Sequence, residues 1–150
     1  MKGVNVNKGS ASPSSSARTI QENITLACNS NCGANITVIL NSIVSGELSQ
    51  GLTLKFTMTN KGTRSYQMDL YPLFLQDKTT NHYYGPGSGP GTTLGYLVDL
   101  PPGDPVQVNP HFSDTPLAGV FLLSLDLNIM PPPTGSKSTD VSYQEVTVTI

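Results

Sequence analysis

The strictest constraint in this sequence is a two-residue alternation of apolar and polar side chains in two long segments. In residues 52–59 every even position is apolar, and in residues 121–129 every odd position is apolar. A period of two places these side chains on one face of a β-strand, whereas a helix would scatter them around its surface. Each segment therefore predicts a strand that buries one face in a core.

Shorter apolar segments, among them residues 36–40 and 94–100, are bounded by Gly, Pro, Asn and Asp and add further strands. Near the C-terminus the apolar positions switch from odd to even numbers, which predicts a β-bulge or a bend near residues 144–145. No segment has a convincing 3.6-residue period. The sequence predicts an all-β fold, an antiparallel β-sandwich of immunoglobulin-like type with about seven to nine strands.

The length of 150 residues and the composition indicate one domain behind a short leader. Residues 1–19 are Ser-rich and carry few apolar side chains, so they are predicted to be a flexible leader or linker. Residues 20–150 form the predicted sandwich domain. Only 12% of the residues are charged, the net charge is −2, and the basic residues are scattered. The sequence therefore has no cluster of basic residues of the kind that binds nucleic acid, and no nucleic-acid partner is expected.

The expected location of the chain is extracellular or at the cell surface. No run of 18 apolar residues exists, so no membrane insertion by this chain is expected. The N-terminus lacks the apolar stretch of a secretory signal, yet the charge-poor, Ser- and Thr-rich composition is common outside cells. We expect an extracytoplasmic protein whose chain comes from a longer or processed precursor.

The two cysteines, Cys28 and Cys32, lie within a run of turn-forming residues. Their spacing allows a disulfide across a tight loop, which is the favoured interpretation. Two alternatives stay open: a pair of free thiols, and a metal site completed by His82 and His111. A disulfide here would fix a loop rather than hold the whole fold.

Candidate catalytic and metal-binding groups are few. Ser113 lies near His111 and Asp114, but neighbours on one loop rarely reach the geometry of a catalytic triad. Asp114, with Asp99 and Asp104, flanks Pro-rich loops and offers oxygen ligands for Ca²⁺ as an alternative. We predict no catalytic site, no metal site and no cofactor.

An aromatic cluster borders a Gly- and Pro-rich loop at residues 85–91. It consists of His82, Tyr83, Tyr84 and Tyr96. Aromatic side chains with a polar tip are favoured at interfaces, so the cluster is a candidate partner surface. The competing interpretation is that alternate members pack into the sandwich and the others cover its face.

Several segments follow one another in an order seen in a known family. Apolar strands at residues 38–43 and 52–60 are followed by Asn60-Lys61-Gly62, by a strand that ends in Leu-Gln-Asp at residues 75–77, and by the aromatic residues 82–84; Pro102-Gly103 then precedes a strand. This order, over roughly residues 35–150, resembles the telokin-like immunoglobulin-like domains of bacterial extracytoplasmic proteins. The resemblance implies an Ig-like fold outside the cytoplasm and no assigned activity. The loop at residues 85–91 and the cysteine loop depart from the family pattern.

Two hypotheses of function follow from these features. The first is a non-enzymatic extracytoplasmic Ig-like module that binds a ligand or a protein, or that spaces a tethered domain. The alternative is a structural subunit of a surface assembly or fibre, in which self-association occurs by strand addition at a sheet edge. Neither hypothesis names the ligand or partner.

Overall fold

The chain is built almost entirely of β-strands. The computed structural model describes residues 17–47, 50–87 and 97–150, and in these ranges it contains twelve strands and one 3-10 turn, Cys32–Ala34. The strands are β1 (Arg18–Thr25), β2 (Cys28–Ser30), β3 (Ile36–Ser45), β4 (Leu52–Asn60), β5 (Tyr66–Asp77), β6 (Tyr83–Tyr84), β7 (Val98–Leu100), β8 (Val106–Val108), β9 (His111–Phe112), β10 (Val120–Met130), β11 (Asp140–Tyr143) and β12 (Val146–Thr149).

The first strand begins inside the predicted leader. Arg18 and Thr19 pair with Ser45 and Val44 of β3, so these two residues belong to the sandwich rather than to a linker. The rest of the predicted leader, up to residue 16, lies outside the described residues.

The strands form two antiparallel sheets. The five-stranded sheet has the order β1-β3-β4-β8, with β9 also paired to β4, and the seven-stranded sheet has the order β2-β11-β10-β5-β6, with β12 on β10 and β7 on β5. If β3 is taken as strand A of an immunoglobulin-type sandwich, β4 and β5 are strands B and C. The pairing of β4 with β8 then corresponds to that of strand B with E, and the pairing of β5 with β10 to that of strand C with F. The predicted fold class is confirmed.

The larger number of strands has a simple cause, which is that the edge strands are interrupted. β8 and β9 share one edge of β4 and are separated by Pro110, whose carbonyl accepts a hydrogen bond from Leu54 N at 3.0 Å. β11 and β12 share one edge of β10, and β6 and β7 share one edge of β5. If each interrupted strand is counted once, the total falls within the predicted seven to nine.

The apolar side chains of both predicted strands are buried in the core between the two sheets. The even positions of β4 from Leu52 to Met58 and the odd positions of β10 from Phe121 to Ile129 are buried. The predicted bulge also exists, because β11 ends at Tyr143 and β12 begins at Val146 while both pair with β10. Sequence periodicity therefore located the central strands correctly.

Two hydrogen bonds join the sheets at one end of the sandwich. The Tyr143 hydroxyl donates to the Ile36 carbonyl at 2.7 Å, and Asn60 Nδ2 donates to the Leu100 carbonyl at 3.1 Å. Ile36 and Asn60 are cross-strand partners, so both bonds lie at the same end. Asn60 is fully buried and also accepts a bond from Gly62 N at 2.9 Å, which closes the turn between β4 and β5.

Candidate functional site

The candidate catalytic residues do not form a relay. His111 Nδ1 lies 2.7 Å from Thr53 Oγ1, so a threonine hydroxyl occupies the ring nitrogen that the aspartate of a triad would bind. Within the ranges that the structure describes, no hydrogen bond links His111 to Ser113 or to Asp114. The three residues are neighbours in sequence without being a catalytic unit.

The three aspartates considered for Ca²⁺ are not gathered into a site. Asp99 lies on β7, where its Oδ1 accepts a hydrogen bond from Gln67 Nε2 at 3.2 Å. Asp104 lies in the loop before β8, and Asp114 follows β9. Across residues 17–47, 50–87 and 97–150, no group of three or more His, Cys, Asp or Glu side chains could hold a metal ion.

The cysteines form a disulfide, as predicted. Cys28 in β2 and Cys32 are bonded, with their Cα atoms 5.9 Å apart. Asn31 has a positive φ of 58°, a conformation that asparagine tolerates better than most residues. Its Nδ2 donates to the carbonyls of Ser138 and Asp140 at 2.8 and 3.0 Å. The disulfide loop is thereby attached to the segment between β10 and β11.

The predicted aromatic cluster is divided between two faces of the seven-stranded sheet. Tyr83 is 59% exposed, and its ring meets Phe74 edge-on at 5.2 Å on the outer face. Tyr84 is partly buried against the core, with the ring of His82 at 4.9 Å. Tyr96 lies outside the described residues. Of the described members, Tyr84 packs against the core while His82 and Tyr83 are exposed, and the partner surface stays a prediction.

An apolar groove lies at one end of the seven-stranded sheet, and we call it the outer groove. Its volume is about 850 Å³, within the range of sites for small ligands or peptide side chains. It is open to solvent, and most of its lining is apolar. The lining residues are Ser65, Tyr66, Gln67, Asp99, Leu100, Pro101, Met130, Pro131, Pro132 and Thr139.

Three strands position the walls of the outer groove. Tyr66 begins β5 and Leu100 ends β7; they are cross-strand partners, and both are buried. Met130, the last residue of β10, pairs with Gln67 and is 52% exposed. Prolines follow Leu100 and Met130, so the chain leaves both strands here without further ladder hydrogen bonds. The groove is thus part of the sheet framework rather than of a single loop.

Carboxylates border the groove along the outer face of the same sheet. Asp99 lines the groove, and Asp69 lies two residues beyond Gln67 on β5. Asn128 stands between Asp69 and Asp140 in the strand register, and its Nδ2 donates to Asp140 Oδ1 at 3.1 Å. One carboxylate therefore lines the groove, and two more lie close by on the same outer face.

Two carboxyls of this face lie in an environment that opposes ionisation. Burial raises the pKa of Asp69, although a hydrogen bond with the backbone of Leu70 partly opposes the shift. Burial also raises the pKa of Asp126, and the nearby charge of Asp140 adds to the shift. Asp69 Oδ1 is buried and has no hydrogen-bond partner among the described residues. This oxygen is an acceptor for which the described chain supplies no donor.

The charges of the two sheets differ. The strands of the seven-stranded sheet contain no Lys, Arg or His and carry Asp69, Asp77, Asp99, Asp126 and Asp140. Asp77 is buried and bonds the turn after β5, with its Oδ1 accepting from Thr79 N at 2.8 Å. The other four carboxylates lie on the outer face. The net charge of −2 therefore conceals one distinctly acidic face.

Sequence reasoning missed the outer groove. Its walls come from three strands separated by about 30 residues each, and their adjacency depends on strand register, which a single sequence does not show. The sequence does show that Gln67 and Met130 fall on the positions of their strands that face away from the core, and that prolines follow Met130.

The fold and the outer groove define an immunoglobulin-type β-sandwich with an open apolar site on its acidic sheet. Comparison with protein-family models, with curated proteins and with solved structures gives no match to this chain. Among the described residues, no helix is long and apolar enough to cross a membrane.

Proposed function

We propose that this chain is a non-enzymatic, extracytoplasmic Ig-like module that binds a partner in the outer groove. The observation that carries the proposal is the apolar groove itself, in which Met130 is 52% exposed and lies with Pro101, Pro131 and Pro132. An exposed apolar concavity costs free energy in water, which burial against a partner recovers.

The disulfide supports the extracytoplasmic part of the proposal. Disulfides such as Cys28–Cys32 persist in oxidising compartments and are rare in the cytosol, where thiols are kept reduced. The charge-poor composition has the same implication.

The sheet edges favour binding in the groove over assembly by strand addition. β1 has a register shift between Gln21 and Ile24, and Asn23 has a positive φ of 52°. Pro110 interrupts the edge formed by β8 and β9, and the β6–β7 edge consists of segments of two and three residues. Bulges, prolines and short segments are features by which proteins prevent edge-to-edge pairing.

The experiment is titration of the native protein with Nile red, an uncharged dye whose fluorescence rises in apolar sites. We expect saturable binding to the wild type and at least about tenfold weaker binding to Met130→Gln, because the amide makes the wall polar. Leu117→Gln is the matched control, since Leu117 is similarly exposed at 49% but lies outside the groove. Equal dye binding by all three proteins, or none by the wild type, would overturn the proposal.

A further inference from the structure

The outer groove combines an apolar lining with a one-sided acidic border. Met130 is 52% exposed and lies with Pro101, Pro131 and Pro132 in the lining, where an apolar side chain can pack, whereas Tyr66 and Leu100 belong to the core behind it. Gln67 and Asp99 form the border on the sheet side, with the amide of Gln67 directed at the carboxylate at 3.2 Å. A ligand that fills this groove therefore meets apolar surface below and carboxylate oxygens beside it.

No described basic side chain forms an ion pair with this border. Among the described residues the one ion pair is Lys55–Glu47, at 3.7 Å, and it involves none of these carboxylates. Arg64 precedes the groove residue Ser65, and its Nη1 donates to Thr134 Oγ1 at 3.1 Å rather than to a carboxylate. The carboxylates of the acidic border are thus without an ion-pair partner among the described residues.

The unpaired carboxylate oxygen of Asp69 also indicates a positively charged ligand group. Its Oδ1 is an acceptor without a partner in the described residues, and Asp69 is only two residues from the lining residue Gln67. A guanidinium or an ammonium group supplies both a positive charge and several N–H donors. A carboxylate or phosphate ligand would instead be repelled by Asp69, Asp99 and Asp140.

We infer that the outer groove binds a protein segment in which apolar side chains alternate with Arg or Lys. The apolar side chain packs on Met130 and the prolines of the lining, and the basic side chains on either side of it approach Asp99 and Asp69. This inference rests on the proposed function, because it names the partner chemistry of the same groove. Charge complementarity along the border contributes selectivity for a cationic segment over a neutral or acidic one.

The test uses two synthetic peptides that differ only in charge. The first is fluorescein-labelled Arg-Leu-Arg-Leu-Arg-amide, and the second has citrulline, an uncharged analogue of arginine of nearly the same shape, at the three Arg positions. Binding is followed by fluorescence anisotropy. We expect the Arg peptide to bind at least about tenfold more tightly at 50 mM NaCl and to lose most of that advantage at 500 mM, where salt screens exposed charges.

Paired variants locate the charge effect. The double variant Asp69→Asn/Asp99→Asn is expected to weaken the Arg peptide about tenfold and to leave the citrulline peptide unchanged. Glu22→Gln/Asp114→Asn makes the same change in net charge away from the groove and is expected to retain tight binding of the Arg peptide. Met130→Gln is expected to weaken both peptides.

Each other outcome overturns the inference in an identifiable way. Equal affinity for both peptides, with both weakened by Met130→Gln, removes the cationic requirement and leaves the groove as a binding site. Equal effects of the two double variants mean that net charge, rather than Asp69 and Asp99, attracts the peptide. Absence of peptide binding while Nile red still binds through Met130 rejects this partner chemistry alone, whereas loss of both rejects the proposed function as well.

Discussion

Individual polar side chains fix the end of the sandwich at which the outer groove lies. Asn60, fully buried, ties the five-stranded sheet to the carbonyl of Leu100 at the base of the groove. The Tyr143 hydroxyl makes the second connection, to Ile36. Both side chains satisfy buried backbone carbonyls, which are costly to leave without a donor. Their roles depend on contacts between residues 40 and 107 positions apart, which the sequence pattern could not reveal.

Tyr143 is expected to make stability depend on alkaline pH. Burial raises the pKa of this phenol above its ordinary value of 10.0, so the ionised form is disfavoured in the folded state. Its contribution to stability is complete below pH 10 and is lost as the pH rises further, because the unfolded chain releases the proton first. We expect a progressive fall in the free energy of unfolding above pH 10.

Tyr143→Phe separates the hydrogen bond from the ionisation. At pH 7 it should lower the free energy of unfolding by about 1 kcal/mol, since the Ile36 carbonyl loses its donor. Above pH 10 the difference from wild type should shrink, because phenylalanine cannot ionise. Urea unfolding at pH 7 and pH 11 measures both effects, with Tyr71→Phe at an exposed site as the control. An unchanged difference at pH 11 would contradict this account.

At the scale of elements, the sequence predicted central strands better than edge strands. β4 and β10 are flanked on both sides, so one face is buried throughout and the two-residue period persists. Edge strands such as β6 and β9 span two residues, too few for any period to be recognised. Turn-forming residues in the sequence show where strands end. The pairing of β5 with β7, which forms the groove, depends on strand register in the folded protein and is not visible in the sequence.

The disulfide loop is expected to stabilise its own segment without holding the fold. Cys28 and Cys32 close a ring of only five residues, for which loop entropy suggests a contribution of about 2 kcal/mol. We expect reductant, or Cys28→Ser/Cys32→Ser, to lower the free energy of unfolding by up to this amount while the protein stays folded.

Thermal unfolding with and without reductant, followed by circular dichroism, measures the contribution of the disulfide. The double serine variant serves as the control, because its melting temperature should not respond to reductant. Loss of the folded β-signal on reduction at 25 °C would mean that the disulfide holds the whole sandwich, contrary to the prediction.

At the scale of the whole molecule, charge is divided between the two sheets. The outer face of the seven-stranded sheet carries Asp69, Asp99, Asp126 and Asp140 with no basic residue on its strands. The low charged fraction of 12% indicated an uncharged exterior, and it did not reveal this concentration of carboxylates. Residues scattered over 70 positions in sequence become one face only through the pairing of β5, β7, β10 and β11.

Such a face is expected to cost stability near neutral pH. Burial and the Asp140 charge raise the pKa of Asp126 above its ordinary value of 3.8, so the folded state favours the protonated carboxyl. The resulting stabilisation is fully present below pH 3.8 and is lost as the pH rises. Asp126→Asn should therefore increase the free energy of unfolding at pH 7 by about 0.5 kcal/mol, the scale of exposed charge interactions, with little effect at pH 2.5. Asp114→Asn, at an exposed turn, is the control for urea unfolding at both values. Destabilisation by Asp126→Asn at pH 7 would show that Asp126 has a favourable partner.

The central claim is that the outer groove of the acidic sheet is the binding surface, and mapping by NMR tests it most directly. ¹H–¹⁵N spectra of this 15.9 kDa protein can be recorded during titration with the Arg-Leu-Arg-Leu-Arg peptide. We predict saturable shifts of the backbone amides of Tyr66, Leu100 and Thr139, with β1 and β3 unchanged. Shifts confined to the five-stranded sheet, or no shifts at saturating peptide, would contradict it.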